Sequence, residues 1–362
     1  MSCPARTYPL KRPDGHQPPV PRWQLIFPPD VAHVHVAYIG IQRRADTEQA
    51  SEAADLATQS VRRWLKKGTE DGPAAVEEFD LIDGNDAPGA HVWVCYWADE
   101  SSYKSAMDRL GLPGVHADLP PPGRPSVGVW SEAFTIPVSR VETNYTGLDY
   151  LPGLARLPNT TTEPHTLTAY WGAARDRIPA AAHDLFGAED GGTTLPPPAA
   201  TRPGGQKHLV GSNADNLVHI RSGQFWQNCD EQESASYERK LEPTLEAGLR
   251  YLWANPAESG ARGLRYLRNT ADDGGSQQQR KETCVAGFFA SLDKLEGWAK
   301  SHKSHLAIYH GALRHAREFG DGRMFRTWHE VVVLKKGEGR FEYVNCAEGT
   351  GLMGFTALDV GS

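Results

Sequence analysis

The sequence predicts an α+β fold in which two ferredoxin-like halves share one barrel, with helices flanking it. Two observations carry that expectation. Strand-like and helix-like stretches alternate through both halves of the 362-residue chain, and a short similarity recurs between the halves. YWADESSYKSAMD, from Tyr96, and FFASLDKLEGWAK, from Phe288, each open with two aromatic residues and an alanine between a strand and a helix. Such a recurrence in matching places marks a duplicated supersecondary unit. The expected boundaries are a proline-rich arm over 1–30, a first half over 31–155 and a second half over 156–355.

The elements follow in order. Residues 1–30 lack periodicity and are rich in proline, so they are expected to run extended over a surface. HVHVAYIGIQ, His33 to Gln42, alternates as a strand does, with Val34, Val36, Tyr38 and Gly40 on one face. EAADLATQSVRRWLKKG follows as a helix with Leu56, Val61 and Leu65 on its buried stripe and Gly68 as its stop. HVWVCYW is a strand, Glu100 to Leu110 a short helix, and Val127 to Val138 another strand. In the second half, HTLTAYW (His165 to Trp171) and NLVHIRSG (Asn216 to Gly223) are expected as strands. A long helical pattern runs from about Glu231 to Trp253, with a kink at Pro243. TCVAGFFA is a strand, and a helix follows through Leu292, Leu295 and Trp298. A further helix covers His305 to Arg317, and WHEVVVLKK with RFEYVNC is expected as a closing hairpin turned at Gly337-Glu338-Gly339. The stretches 188–208 and 269–282 are full of breakers and polar residues and are expected as loops.

Composition narrows the function classes. Hydrophobic residues make up 39% and charged residues 23%, with a formal net charge of -7. No long basic run offers a footprint for nucleic acid. No apolar segment reaches bilayer-spanning length, and the N-terminus lacks an apolar signal core, so a cytoplasmic protein is expected. Five cysteines are widely spaced without a CxxC pair, which argues against a disulfide framework or a thiolate zinc site. The absence of CxxCH means that any haem would lack thioether links. GxGxxG, GxxxxGK[ST], HExxH and GxSxG are all missing, so nucleotide, zinc-protease and serine-hydrolase readings lack support.

Histidines remain as the chemistry-bearing candidates. In AKSHKSHLAIYHGAL the chain breaks between two helices, and His305 on the second adjoins the apolar side one turn from Tyr309. It is either a metal ligand or an ordinary half-buried or helix-capping histidine. His329 shares a strand face with Val331 and Val333, as a hydrogen-bonded core residue or a pocket acid/base. Ser222 shares a face with Val218 and Ile220, opposite His219 and Arg221. Its hydroxyl is presented either to a cavity or to local backbone before Gly223. Arg175 and Arg177 flank Asp176. They form a surface ion pair, or else Arg177 turns inward to an anionic ligand or to an acidic partner such as Glu142.

PPVPRW, YWGAARDRIP, NLVHIRSGQFW, LDKLEGWAKSHKSHL, TWHEV and FEYVNC, in this order from Pro18 to Cys346, together resemble the aldoxime dehydratases. The resemblance implies a homodimeric lyase of the dimeric α/β-barrel type, with haem b in the second half. It implies dehydration of an aldoxime to a nitrile, with the oxime nitrogen bound to ferrous iron. The second histidine of SHKSHL, His305, is implied as the axial iron ligand. Ser222, Arg177 and His329 are implied on the substrate side, with Glu142 linked to the arginine and histidine. His329 is implied as general acid and then general base. The chain departs from some relatives in carrying Arg22 before Trp23 and an expanded polar stretch before Thr283, so substrate preference does not transfer. The rival readings are a haem peroxidase or chlorite-dismutase-like enzyme, and a non-catalytic haem-binding protein.

Overall fold

A computed structural model describes residues 6–66, 71–187, 208–271 and 280–361. The expected helix stop at Gly68 and most of the two expected loops lie outside the described residues. The ends of those loops are strand residues instead: His208, Asn269 and Glu282 each belong to a strand.

Fourteen strands form one sheet among the described residues. They are β1 (Trp23–Ile26), β2 (His33–Arg43), β3 (Ala75–Gly84), β4 (His91–Trp97), β5 (Val127–Pro137), β6 (Val141–Tyr145) and β7 (Thr161–Pro164). They continue with β8 (His208–Gly211), β9 (Leu217–Phe225), β10 (Ala261–Asn269), β11 (Glu282–Phe289), β12 (Arg326–Leu334), β13 (Gly339–Val344) and β14 (Leu358–Val360). The helices are α1 (Glu48–Lys66), α2 (Glu100–Leu110), α3 (Leu112–Ala117), α4 (Ala173–Arg177), α5 (Glu231–Ser236), α6 (Glu242–Ala254), α7 (Pro256–Ser259), α8 (Leu292–Ser301) and α9 (Lys303–Phe319).

The strand order is β14-β8-β13-β5-β2-β4-β3-β10-β11-β9-β12-β6-β1-β7. It contains the same arrangement twice. Within β2–β5 and within β9–β12, the fourth strand lies beside the first, then come the third and the second. The two second strands, β3 and β10, pair antiparallel and join the halves. The sheet runs open from β14 to β7, and no hydrogen-bonded seam closes it among the described residues.

One face of each half looks into a shared interior. His219 of β9 packs there against Tyr38, Phe134 and Phe288, with ring centres 4.9–5.1 Å apart. Burial lowers the His219 pKa to about 3, so the ring is neutral. Buried ion pairs link the halves through this interior: Arg221 meets Glu77, and Arg265 meets Glu132 and Asp86. A packing device recurs with the strand order. Gly40 sits opposite Trp130 and Gly223 opposite Trp328 in register. A Cβ at either glycine would meet its indole within 2.5 Å, so only glycine lets the ring lie flat on the neighbouring strand. Arg265 lies 3.8 Å over the Trp130 ring and Arg221 4.6 Å over that of Trp328.

The outer face of each half is covered by helices. In β2, Val34, Val36 and Tyr38 face the interior, while Ala37, Ile39 and Ile41 face α1 and α2. On α1 the buried stripe is Ala50, Ala53, Ala57 and Val61. The expected Leu56 and Leu65 only flank it, because small side chains let the helix approach the sheet closely. The expected kink is present. A π-helical segment, Tyr237–Leu241, separates α5 from α6, and Pro243 lies in the first turn of α6. Proline supplies no N–H and crowds the preceding turn, which widens it.

Two expectations fail. Residues 165–171 are not a strand. Ala169 takes φ 61°, and the arm occupies the backbone groups a neighbour strand would need, with His16 Nε2 2.7 Å from the Thr168 carbonyl. Nor do β12 and β13 form a hairpin. Both edges of β12 are taken by β9 and β6, so β13 crosses to the first half and pairs with β5 and β8.

Candidate active site

Three adjacent strands set one wall of the site. Register places His329 opposite Ser222 on β9 and Val331 opposite Glu142 on β6. Alternation puts His329 and Val331 on one face, so His329, Ser222 and Glu142 project together toward α6, α8 and α9. Val218, Ile220, Val331 and Val333 extend that face into an apolar cluster, as their spacing predicts. The Ser222 hydroxyl makes no hydrogen bond to a described residue, so the local-backbone alternative does not hold.

Arg177 reaches this wall from α4, which starts after Gly172 at φ 98°. The three residues of its RDR run serve three different elements. Arg175 pairs with Asp293 and Glu296 on α8, at 2.7 and 3.0 Å. Asp176 is buried rather than part of a surface pair. It accepts from the backbone N–H groups of Lys11 and Arg12 and from the Tyr170 hydroxyl. Arg177 turns inward, its Nε 2.9 Å from Glu142 Oε2. Its side chain is 3% exposed and that of Glu142 is 0% exposed, so each charge depends on the other for compensation.

His329 completes the cluster. Its Nε2 lies 3.0 Å from Arg177 Nη2 and 3.0 Å from Glu142 Oε1. Burial alone would push the Glu142 carboxyl up, but the Arg177 and His329 charges overcome it and hold the pKa at about 2. Glu142 is therefore ionised at every working pH. The outer nitrogen of His329, Nδ1, has no partner among the described residues, and the ring lines a cavity.

The opposite wall is made by α8 and α9. The break between them places two histidines in different roles. His302 is the N-cap of α9: its Nδ1 lies 2.7 Å from Ser304 Oγ, and its ring stacks on Tyr251. His305, one turn on, caps nothing. Its ring packs edge-on to Trp298 at 4.8 Å, and its Nδ1 is buried without a hydrogen-bond partner. Burial pushes its pKa down against the nearby Ala299 carbonyl, so the imidazole is neutral and keeps a lone pair for a metal.

Between the walls lie two adjoining cavities of about 510 and 350 Å³, and His305 and His329 line both. Ala174, Ala299 and Ala312 leave room beside His305. The inner cavity is walled by Leu249, Leu252, Leu264, Val285 and Phe289. Among the described residues, no group of three or more His, Cys, Asp or Glu is placed to hold a bare ion. A single neutral imidazole facing an apolar space is the donor set for iron already held by a flat macrocycle, and the residues present fit haem.

Sequence reasoning passed over Asn144 and Gln224. Asn144 is two residues after Glu142 and lies across from His329, and Gln224 is two after Ser222. The alternation that placed Ser222 would have placed both.

Fold and site together define an α/β protein with a polar, charge-paired wall facing His305 across a cavity. The family model for haem-containing dehydratases matches residues 37–352, and the chain belongs to that family. It is 30% identical to phenylacetaldoxime dehydratase of Bacillus sp. (strain OxB-1), over 95% of this chain and 93% of that protein. It is 29% identical to aliphatic aldoxime dehydratase of Pseudomonas chlororaphis, over 98% and 96%. A crystal structure of an aldoxime dehydratase in complex with butyraldoxime superposes with a TM-score of 0.82 at 29% identity, covering 98% of this chain and 94% of that one.

Proposed function

We propose that this protein dehydrates an aldoxime to the corresponding nitrile, with haem b held by His305. The observation that carries the reading is the His329–Glu142–Arg177 cluster, with a free Ser222 hydroxyl beside it, facing His305 across one cavity. When bound and ferrous, the haem supplies an electron-donating iron for the oxime nitrogen.

The chain's own residues supply the proton chemistry. Ser222 hydrogen-bonds the oxime hydroxyl and aims it at His329. The inner nitrogen of His329 is provided for in either state. A bare Nε2 accepts from Arg177 Nη2, and Glu142 Oε1, 3.0 Å away, is the counter-charge when the ring is protonated. The outer Nδ1 is therefore the atom that exchanges. It gives its proton to the oxime oxygen, the N–O bond breaks, and water leaves. The neutral Nδ1 then takes the aldehydic C–H proton, and that electron pair completes the C≡N bond. No net oxidation occurs. General acid–base help of this kind contributes about 10²–10⁴-fold.

A distal arginine and histidine also serve peroxide cleavage, the chlorite-dismutase-like alternative, and a passive haem carrier needs only His305. Ser222 favours the oxime reading, since neither alternative uses an unpaired hydroxyl beside His329. The repeated strand order supports reading each half as a ferredoxin-like unit, the two curling into one barrel. The homodimer and the cytoplasmic setting belong to the same proposal, and no helix among the described residues is long and apolar enough to cross a membrane. The test is anaerobic incubation of dithionite-reduced protein with aryl and alkyl aldoximes. Nitrile in the product is expected. Peroxide turnover without nitrile would refute the assignment.

A further inference from the structure

Two cations face the outer cavity without an ion-pair contact to a described residue. Arg22, in the N-terminal arm, and Arg323, just before β12, both line it. Among the described residues the Arg22 guanidinium donates only to the neighbouring Pro21 carbonyl. The Arg323 Nε is buried without a partner, and its guanidinium makes no hydrogen bond to a described residue. Four nearby carboxylates are committed elsewhere. Glu142 is held by Arg177 and His329, Glu296 by Arg175 and Lys11, Asp149 by Arg326, and Glu233 by His315 and the backbone N–H groups of Met324 and Phe325. Burial, then repulsion from Arg323 and Arg177, lowers the Arg22 pKa to about 10. Burial, then Arg326, lower that of Arg323, and Glu233 offsets this only in part. Desolvated like charges left in this state destabilise the fold unless an anion joins them.

The space between the walls is thus polarised. Its outer part carries Arg22 and Arg323, and its inner part is lined by leucine, valine and phenylalanine. Haem b has the matching polarity, with an apolar ring and two carboxylates on one edge. We propose that Arg22 and Arg323 clamp the two haem carboxylates, which makes the proline-rich arm part of the cofactor site. The inference rests on the proposed haem function. The arm is built for the task, because it is pinned on both sides of Arg22. The Lys11 and Arg12 N–H groups bind Asp176, His16 binds the Thr168 carbonyl, and β1 pairs with β7. Arg22 is thereby fixed at the rim rather than left to search for its partner.

The test compares haem release to a scavenging apoglobin from wild-type holoprotein and from R22Q, R323Q and the double variant. Each is loaded in parallel with haem and with its dimethyl ester. A charge-assisted hydrogen bond contributes about 1.5–3 kcal/mol, so each single variant should release haem at least tenfold faster. Release of the ester should be fast and alike in all four proteins. R22K and R323K should recover part of the loss, which a merely structural arginine would not require. Wild-type release rates from both variants would overturn the clamp, as would an equal penalty with haem and ester. Unchanged release with a raised KM for a carboxylate-bearing aldoxime would also overturn it, assigning the cations to substrate instead. Wild-type protein that shows no Soret band with haem would instead overturn the function reading itself.

Discussion

Replacing Glu142 by glutamine removes one charge from a buried cluster. The carboxylate titrates at about 2 in the folded protein, although burial opposes its ionisation, because Arg177 and His329 favour it more strongly. Against the ordinary glutamate value of 4.5, the difference is worth about 3 kcal/mol at 1.36 kcal/mol per unit. The sign follows from a folded value below the unfolded one. The contribution is complete above about pH 4.5 and disappears as the pH falls through 2. The cost of orphaning one member of a buried pair, about 3–5 kcal/mol, agrees in size. Urea denaturation of wild type and E142Q at matched haem occupancy should therefore show a deficit of about 3 kcal/mol at pH 7, shrinking toward zero near pH 2. Turnover should fall as well, since a protonated His329 loses its counter-charge. A deficit below about 1 kcal/mol at pH 7, or one that does not change with pH, would refute this electrostatic account.

His305→Ala should purify without a normal Soret band, and added imidazole should restore part of it; full haem occupancy in the variant would remove the ligand assignment. His329→Ala should keep haem and fold but lose about 10²–10⁴-fold in nitrile formation, read by product analysis under reducing conditions. Ser222→Ala should lose turnover with haem spectra unchanged, and undiminished activity would take the hydroxyl out of the reaction. Gly223→Ala forces the Trp328 ring off its neighbouring strand, so a loss of about 1–3 kcal/mol is expected on denaturation, with Ser222 displaced alongside. A fully stable, active G223A would show that the indole has room to move.

Period-two alternation was the most informative signal in the chain. It sorted Val218, Ile220 and Ser222 from His219 and Arg221, and His329 from Glu330, because in this sheet the two faces meet different cores. The helix break before His305 was equally legible, since Ser-His-Lys-Ser cannot continue the apolar stripe of α8. What stayed hidden was set by distant partners. β3 and β10, which join the halves, carry Glu77 and Arg265 and look like surface segments. Their charges are buried only because Arg221 and Glu132 wait across the interior. The inward turn of Arg177 likewise depends on Glu142, 35 residues earlier in the chain. The false hairpin at the C-terminus had sound turn chemistry at Gly337, but turn chemistry does not say which edges are already occupied.

That displaced strand has a consequence for how the chain is made. One edge of β5, a buried strand from Val127 to Pro137, is covered among the described residues by β13, the pairing of Val129 with Val344 being the last rung. A nascent chain that has completed its first half therefore carries an open, sticky edge until residues 339–344 have left the ribosome. Contacts so far apart in sequence slow folding, and an uncovered apolar edge invites pairing with other chains. Fragments ending before Gly339 should consequently aggregate where the intact protein does not.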